Sequence, residues 1–449
     1  MRIAVIGSGI AGLSSAWLLS RSHEVTLYEA NDYLGGHTHT VDVTLDGVTH
    51  GVDTGFLVFN HRTYPNLVAL FSHLGVETAA SDMSFGVSLS GLDLEWAGSN
   101  LGTVFAQKSN LLRRRFWGML SDILRFNREA GALARAAGDG TQSAAQQSAA
   151  QESLGAFLDR GRYGKPFRDW YLLPMAGAIW SCPTQVMLDY PVATFARFCA
   201  NHGLLQVEDR PQWHTVRGGA RRYVDKLAAG IAHVRLSDPV RAVRAVPGGV
   251  RTANGGVEVA SALGTSVFDQ VVLACHSPQA LAMLADATDA ERELLSALPY
   301  QRNRAILHTD EALLPRRKSV WSAWNYLAGE DGPDGRPVGV SYLINKLQPL
   351  PFKQPVVVTL NPPREPDPAK VIAEFDYEHP VFDLAGIAAQ SRLSSIQGRR
   401  GLWFCGAWCG YGFHEDGLKA GLAVANALGE RAPWQQAAPA TRVAGEALA

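Results

Sequence analysis

The sequence predicts an α/β fold organised around a dinucleotide-binding unit, and three stretches predict it. The chain opens with Arg2-Ile-Ala-Val-Ile6, a short apolar run without a period, as expected of a strand buried on both faces. Gly7-Ser-Gly9-Ile10-Ala11-Gly12 follows at once and leads into an amphipathic run from Leu13 to Ser20. Glu24-Val-Thr-Leu-Tyr28 is then a second strand, closed by Glu29. Strand, glycine turn, helix, strand and acid in this order form the fingerprint of a Rossmann-like domain. Gly7 permits the tight turn, Gly9 lets backbone approach a pyrophosphate, and Gly12 lets the helix pack close on the strand. The helix N-terminus, with its unpaired N–H groups, then faces the phosphates. Glu29 can accept hydrogen bonds from both ribose hydroxyls and would repel a 2′-phosphate.

A second glycine pair, Gly35-Gly36, stands six residues past Glu29 and is followed by His37-Thr38-His-Thr40. A plain NAD domain has no use for it, whereas a loop in this place can lie along an extended FAD. At this point the chain resembles the amine oxidase and phytoene desaturase superfamily of FAD-dependent oxidoreductases. That family usually reads Glu-Ala-x-x-x-x-Gly-Gly-Arg here; Glu29-Ala30 and Gly35-Gly36 match, and His37 stands in place of the arginine that approaches the pyrophosphate. The resemblance implies a Rossmann-like FAD-binding domain of the GR2 type, with an interleaved α+β substrate domain.

Bulk composition agrees with a large folded enzyme. At 449 residues the chain can hold about two to three domains. With 47% hydrophobic residues and 18% charged, it can bury a sizeable core. A net charge of −1 argues against nucleic acid as a partner, since phosphate contacts need a basic surplus. Cys182, Cys199, Cys275, Cys405 and Cys409 are too few for a disulfide framework, and a reducing cytoplasm is the simplest setting. The apolar start could be read as a signal peptide, but its glycines fit the cofactor turn better than a cleavage site. No apolar run reaches the roughly 20 residues that span a bilayer.

Taken in order, the chain next predicts two strands, His39 to Leu45 and Thr49 to Val52, joined by the hairpin turn Asp46-Gly47. Asp53-Thr-Gly55 resembles the family segment leading toward the flavin ring, and reads equally well as a turn at a sheet edge. From about His61 to Asn201 the pattern is mostly helical. Tyr64 to Leu74 has helical spacing and stops at Gly75. Asn110 to Phe126 carries three arginines beside Phe116 and Trp117. Such a stretch can be a partly buried helix with a solvated charged face, or can lie on an anionic membrane surface, peripheral to the inner membrane. Gly138 to Ser153 is compositionally simple and reads as an exposed connector. Trp170 to Trp180 is core-like, or the wall of an apolar pocket.

Gly218-Gly219 opens a further helix that runs to about Ala229, where the family's chain returns to the cofactor domain. Val234 to Val246, Gly249 to Val259 and Asp269 to Ala274 read as strands; in the family, residues like Val240 and Ala274 lie beside the dinucleotide. Ser296 to Pro380 reads as the second half of a substrate domain built on a mixed sheet, with Trp321, Trp324 and Tyr326 crowded together.

Gly401-Leu-Trp-Phe-Cys-Gly406-Ala-Trp-Cys-Gly410-Tyr411-Gly412-Phe413-His414-Glu415-Asp-Gly417 is a strand running into a glycine-rich turn and a helix to about Leu428. The resemblance identifies it as the flavin-closing motif, with Gly406 on the phosphate side and the helix N-terminus aimed at the pyrimidine. That end of a helix favours the negative charge of a reduced flavin. The family's Glu after the glycine is Ala407 here.

The resemblance thus implies a discontinuous FAD-binding domain, 1–60, 205–290 and 395–430, and a substrate domain, 61–204 and 291–394, with 431–449 a disordered tail. It implies FAD contacts at Gly7, Gly9, Ile10, Ala11, Gly12, Glu29, Ala30, Gly35, Gly36, His37, Thr38, Val240, Ala274, Gly406, Phe413, His414 and Glu415.

The Cys405–Cys409 spacing lacks the further ligands that zinc would need, so no metal is expected. Residues 375–400 contain no cysteine for covalent attachment, so FAD is expected to be noncovalent. A bound flavin carries the hard chemistry, and the protein aims it and excludes water. True amine oxidases of the superfamily often carry a lysine near the flavin. The corresponding strand, Gln301 to Leu307, has Asn303 and Arg304, with Tyr300 before it. Paired tyrosines for an amine are not recognisable, and only Tyr411 lies near their place.

Trp180, Trp324, Tyr326, Tyr411 and His414 are the pocket candidates; Trp170, Tyr171, Trp180, Trp321, Trp324 and Tyr326 supply apolar lining and no clear carboxylate for an ammonium. The expected substrate is therefore an apolar chain, an acyl lipid or isoprenoid, desaturated or isomerised. The closing motif most resembles a bacterial branch of amine-oxidase-like NAD/FAD-binding proteins, whose members are commonly encoded beside cyclopropane-fatty-acyl synthases. The alternatives are an amine or amino-acid oxidase releasing imine and hydrogen peroxide, and a flavin-binding protein without turnover.

Overall fold

The computed structural model of the chain describes residues 1–136, 152–180, 184–206, 209–246, 256–328 and 339–435. Most of the connector expected over 138–153, Cys182, residues 249–255 and the tail beyond 435 lie outside these residues.

Arg2–Ile6 is the central strand of a five-stranded parallel sheet. The order is His233–Arg235, Glu24–Tyr28, Arg2–Ile6, Gln270–Leu273, Leu402–Phe404. Three stretches far apart in sequence therefore meet edge to edge. Side chains alternate between the faces of a strand. Ile3 and Val5 join one core together with the helices Ile10–Leu19 and His414–Ala427. Ala4 and Ile6 join a second core with the antiparallel sheet Val240–Val246, Gly256–Ser261 and Gly264–Phe268. Both faces are covered, which is why the strand shows no polar alternation. The two helices meet through small residues: a Cβ on Gly421 would stand 2.4 Å from the Ala11 carbonyl oxygen.

A seven-stranded mixed sheet forms the other half of the molecule. Its order is Val371–Pro380, Tyr300–His308, Val357–Leu360, Gly339–Leu343, Trp324–Ala328, Phe85–Leu89, Leu94–Ala97. Trp324–Ala328 and Phe85–Leu89 run parallel, and the other pairs are antiparallel. The mostly helical reading of 61–201 holds for most of its described residues, but Thr78–Ser81, Phe85–Leu89 and Leu94–Ala97 are strands that it did not foresee. Leu94–Ala97 is buried at every position, Glu95 included, so it offers no alternation to read. Glu95 tolerates burial because Arg317 Nη1 donates to it at 2.7 Å.

Other local signals are met as read. Asp46 and Gly47 take φ of 51° and 77° between the strands Thr40–Leu45 and Val48–Asp53, the left-handed pair a two-residue hairpin needs. Helix Pro65–Leu74 begins with its proline and ends at Gly75, φ 61°. The arginine-rich stretch enters helix Arg114–Ala136, which buries Phe116, Met119, Phe126 and Ala130. Among the described residues no helix is long and apolar enough to cross a membrane. The expectation of a disordered tail is corrected for its first residues: Pro433–Gln435 is a short turn whose Trp434 stacks on Trp17, ring centroids 6.4 Å apart.

Candidate functional site

The glycine turn is fixed by contacts that leave no room for side chains. Gly7 has φ 99°, and a Cβ there would stand 2.7 Å from the Ala274 carbonyl oxygen. A Cβ on Gly12 would fall 1.9 Å from the Gly7 carbonyl oxygen, so helix and turn are in backbone contact. Gly9 differs, since a Cβ there meets nothing within 4 Å. It caps helix Ile10–Leu19 without any side-chain hydrogen bond, leaving the first N–H groups open.

Glu29, buried at the end of its strand, holds this turn in place. Its Oε2 accepts from the Ser8 backbone N–H at 2.9 Å and from the Ser8 hydroxyl, and its Oε1 accepts from Asn31 N–H at 2.9 Å. The Gly35-Gly36 loop lies across the turn. Gly35 N–H donates to Ser8, and a Cβ on Gly36 would touch Gly9 Cα at 3.3 Å. Carbonyl oxygen of His37 accepts from Phe56 N–H at 2.8 Å, and Gly55 packs on it too closely to carry a Cβ.

Asp53 is the junction that sequence reading missed. Its carboxylate accepts from Thr40 Oγ1 at 2.5 Å, from Ala220 N–H at 2.9 Å and from Gln348 Nε2 at 2.7 Å. The Asp-x-Gly segment, the Gly218-Gly219 turn and the segment at Gln348, just past the strand Gly339–Leu343 and the short helix Ile344–Leu347, are thus tied at one buried point. Only the equal weighting of a flavin-ward segment and an edge turn was available from sequence, because Thr40 faces Asp53 across the hairpin but Ala220 and Gln348 come from distant stretches.

The closing helix His414–Ala427 has Phe413 at its N-cap, stacked on Phe198 at 4.9 Å. His414 stacks on Phe56 at 3.8 Å, and its Nε2 meets the Tyr223 hydroxyl at 2.6 Å. That hydroxyl in turn meets Thr38 Oγ1 at 2.6 Å. Burial pushes the His414 imidazole down to about 3, so it is neutral at pH 7. Glu415 accepts from Asn66 N–H and Leu67 N–H, both at 3.0 Å, a carboxylate set on the N-terminus of helix Pro65–Leu74.

These pieces surround one cavity of about 860 Å³. Gly7, Gly9, Ile10, Ala11, Glu29, Ala30, Gly35, Gly36, His37, Val240, Ala274, Gly406, Phe413, His414 and Trp324 line it. Gly12, Thr38 and Glu415 stand just behind, in the contacts above. Trp180, Tyr326 and Tyr411 are not among the lining residues. Trp180 backs Phe198 at 4.5 Å and Tyr326 is buried in the sheet core. Trp321 packs in a separate small cluster with Leu314, Leu343 and Val357, away from Trp324.

Residues absent from the sequence reading also converge there, notably Tyr33, Phe198, His202, His276, Tyr377 and His379. His276, Tyr377 and His379 surround His37 at ring distances of 6.1, 5.0 and 5.2 Å. Burial and the neighbouring imidazoles hold His37 well below the usual histidine range. No spacing in the sequence signals this cluster, because its members lie on separate elements. Asn303 is buried against His379 Nδ1 at 2.9 Å, while Arg304 forks onto Glu374 and Glu365 at the surface. Cys275 and Cys409 are pushed up to about 12 by burial and are packed as neutral thiols. Among the described residues no group of three or more His, Cys, Asp or Glu could hold a metal ion.

An uncapped helix N-terminus facing open space, a carboxylate beside it and a second helix N-terminus at the same cavity suit a long dinucleotide carrying a redox ring. The fold and the cavity therefore define a flavoprotein oxidoreductase of the Rossmann type. The model of the flavin-containing amine oxidoreductases matches residues 10–349, and the chain belongs to that family. It is an FAD-dependent oxidoreductase, and the residues just described fit the cofactor.

Similar proteins include a desaturase, an amine oxidase and a fatty acid isomerase. A zeta-carotene desaturase of Synechocystis sp. is 37% identical over 78 residues, 17% of this chain and only 15% of that protein. Among solved structures, putrescine oxidase bound to putrescine has TM-score 0.65 at 15% identity, covering 95% of this chain and 99% of that one. A conjugated-linoleic-acid-producing fatty acid isomerase from P. acnes has TM-score 0.64 at 15% identity, covering 94% and 96%. At such identities the structures speak for the fold.

Proposed function

We propose that the enzyme removes a hydride from an apolar chain, an acyl lipid or isoprenoid, which it desaturates or isomerises. The observation that carries this is the chemistry of the cavity wall beyond the closing helix. Leu57, Val58, Met83, Ile179, Phe198, Leu204, Trp213, Trp324, Tyr342 and Leu360 line it. Its imidazoles are uncharged at neutral pH, with His202 pushed down to about 4 by burial. The carboxylates that reach the cavity are already engaged. Glu29 holds the glycine turn, and Glu378 meets His276 at 3.1 Å and lies 4.0 Å from the Arg302 guanidinium. Asp376 stands 3.8 Å from Arg302. Asp238 is at 3.6 Å from Arg235. An ammonium would have to enter without a free counter-charge, at a cost that a hydrocarbon chain does not meet. Desaturase and fatty acid isomerase relatives support the same class.

In this reading the bound flavin supplies the hydride acceptor. Gly9 and Gly36 would hold the pyrophosphate and Glu29 the ribose, with Phe413 and His414 on the ring side of the cavity. Residues 1–60, 205–290 and 395–430 would form the cofactor domain, and 61–204 with 291–394 the substrate domain. FAD would be held without a covalent bond.

Anaerobic addition of a lipid extract should bleach the flavin absorbance. Bleaching by amines alone, with peroxide released on admitting oxygen, would assign amine oxidation instead. A flavin bleached by neither would leave a binding protein without turnover.

A further inference from the structure

Helix Arg114–Ala136 and the turn before it carry an apolar, basic surface that the fold leaves uncovered. Residues three and four apart share a helix face. Arg114, Trp117, Ser121, Leu124 and Arg128 follow that spacing, and all five are exposed. Trp117 is 50% exposed and Leu124 61%. The preceding turn, Lys108–Leu112, continues the stripe, with Leu111 46% and Leu112 88% exposed. The patch is continuous: the Trp117 indole N–H donates to the Leu111 carbonyl oxygen at 2.9 Å, and Phe105 lies 5.3 Å from Trp117.

The charges on this helix are segregated. Asp122 turns inward to Arg125 and the Gly164 N–H, and Glu129 accepts from the Tyr163 hydroxyl at 2.7 Å. Lys108, Arg114, Arg115 and Arg128 have no ion pair among the described residues. The outward stripe and the turn before it therefore combine Lys108, Arg114 and Arg128, unpaired among the described residues, with four large apolar side chains and no acid, and Arg115 stands exposed next to Arg114 at the helix start. An ordinary solvated helix face would interleave acids with bases. An apolar stripe rimmed by unpaired cations is instead complementary to a surface whose interior is hydrocarbon and whose rim is anionic.

We propose that this face docks on an anionic phospholipid surface, with Leu111, Leu112, Trp117 and Leu124 entering the interface and Lys108, Arg114, Arg115 and Arg128 meeting the headgroups. The other face of the same helix buries Phe116 against Trp96, on the strand Leu94–Ala97. That strand and Phe85–Leu89 connect it to Trp324–Ala328, whose Trp324 lines the cavity. Docking would thus hold the substrate half of the molecule against the phase in which an apolar chain dissolves. It deepens the substrate reading above, but vesicle binding requires no turnover, so each can fail without the other.

The test is co-sedimentation of the full-length holoprotein with vesicles of phosphatidylglycerol and phosphatidylcholine, against phosphatidylcholine alone. Binding should require the anionic lipid and weaken as salt is raised. The double variant L112S/W117S should lower the partition coefficient roughly tenfold or more, from the apolar area withdrawn. R114Q/R115Q should lower it by a similar factor, from about 1 kcal/mol per cation. Leu112, Arg114 and Arg115 are surface positions and Trp117 is half-exposed, so flavin content should match wild type, with only a small drop in thermal stability for L112S/W117S. Wild type that stays in the supernatant with anionic vesicles would overturn the proposal, as would either double variant binding like wild type. A wild-type dimer in sedimentation velocity that L112S/W117S dissociates would assign the face to a second copy of the chain, and would overturn it too.

Discussion

Gly9 and Gly12 stand three residues apart in one turn, yet they should fail in opposite ways when a methyl group is added. At Gly9 the backbone is at φ −61° and ψ 175°, open to any residue, and a Cβ meets no protein atom within 4 Å. Gly9→Ala should therefore change the stability of the cofactor-free protein by no more than about 0.5 kcal/mol. The methyl instead occupies the space where a pyrophosphate would approach the open helix N-terminus. Backing the phosphate away by ~2 Å turns N–H···O bonds of about 2.9 Å into contacts that no longer bond. Losing two charge-assisted bonds at about 1.5 kcal/mol each comes to about 3 kcal/mol, or roughly 150-fold in Kd for FAD. At Gly12 the Cβ would fall 1.9 Å from the Gly7 carbonyl oxygen, and no side chain can move to relieve it. Gly12→Ala should cost about 3 kcal/mol or more of stability before any cofactor is added. Urea unfolding of the cofactor-free proteins and FAD titration followed by flavin fluorescence separate the two outcomes. A Gly9→Ala protein with wild-type FAD affinity would refute the placement of the phosphates, and a Gly12→Ala protein with wild-type stability would refute the close packing of turn and helix.

Asp53→Asn should destabilise the fold by about 1–3 kcal/mol, because its amide would point a donor at a donor among Thr40, Ala220 and Gln348; unchanged urea unfolding would show that this junction is not needed. Burial pushes His308 and His379 down to about 4, as it does His202, so these folded-state groups take up protons later than the unfolded chain does. Their contribution to stability is complete above the unfolded histidine value of about 6.5 and is lost as pH falls toward about 4, at up to roughly 1.4 kcal/mol per pH unit for each group. Wild type and His308→Gln should accordingly converge as pH is lowered through that window, and a gap that stays constant would reject the assignment. Acid precipitation of the yellow protein should release all the FAD into the supernatant; colour that stays with the pellet would mean a covalent bond.

Local chemistry made part of this molecule legible from sequence. Gly7, Gly9 and Gly12 each answer a short-range steric demand, Asp46-Gly47 supplies two left-handed residues in a row, and Gly75 ends its helix in the same conformation. The acid at Glu29 and the pair Gly35-Gly36 belong to one βαβ unit and its following loop, so their spacing carries their role. Other parts depend on partners far along the chain. Leu94–Ala97 became a strand by pairing with Phe85–Leu89 in a sheet completed by residues after 300. Trp180 and Trp324 looked alike as aromatic pocket candidates, and only packing placed one behind Phe198 and the other on the cavity wall.

The sequence by itself determined the cofactor fold, because a tight turn, a helix start and a ribose acceptor are set by residues within about one βαβ unit of each other. Tertiary structure alone decided the imidazole cluster around His37, the Asp53 junction and the apolar wall of the cavity. Each of these brings together elements far apart in the chain, and the burial and hydrogen bonding that join them carry no record of sequence distance.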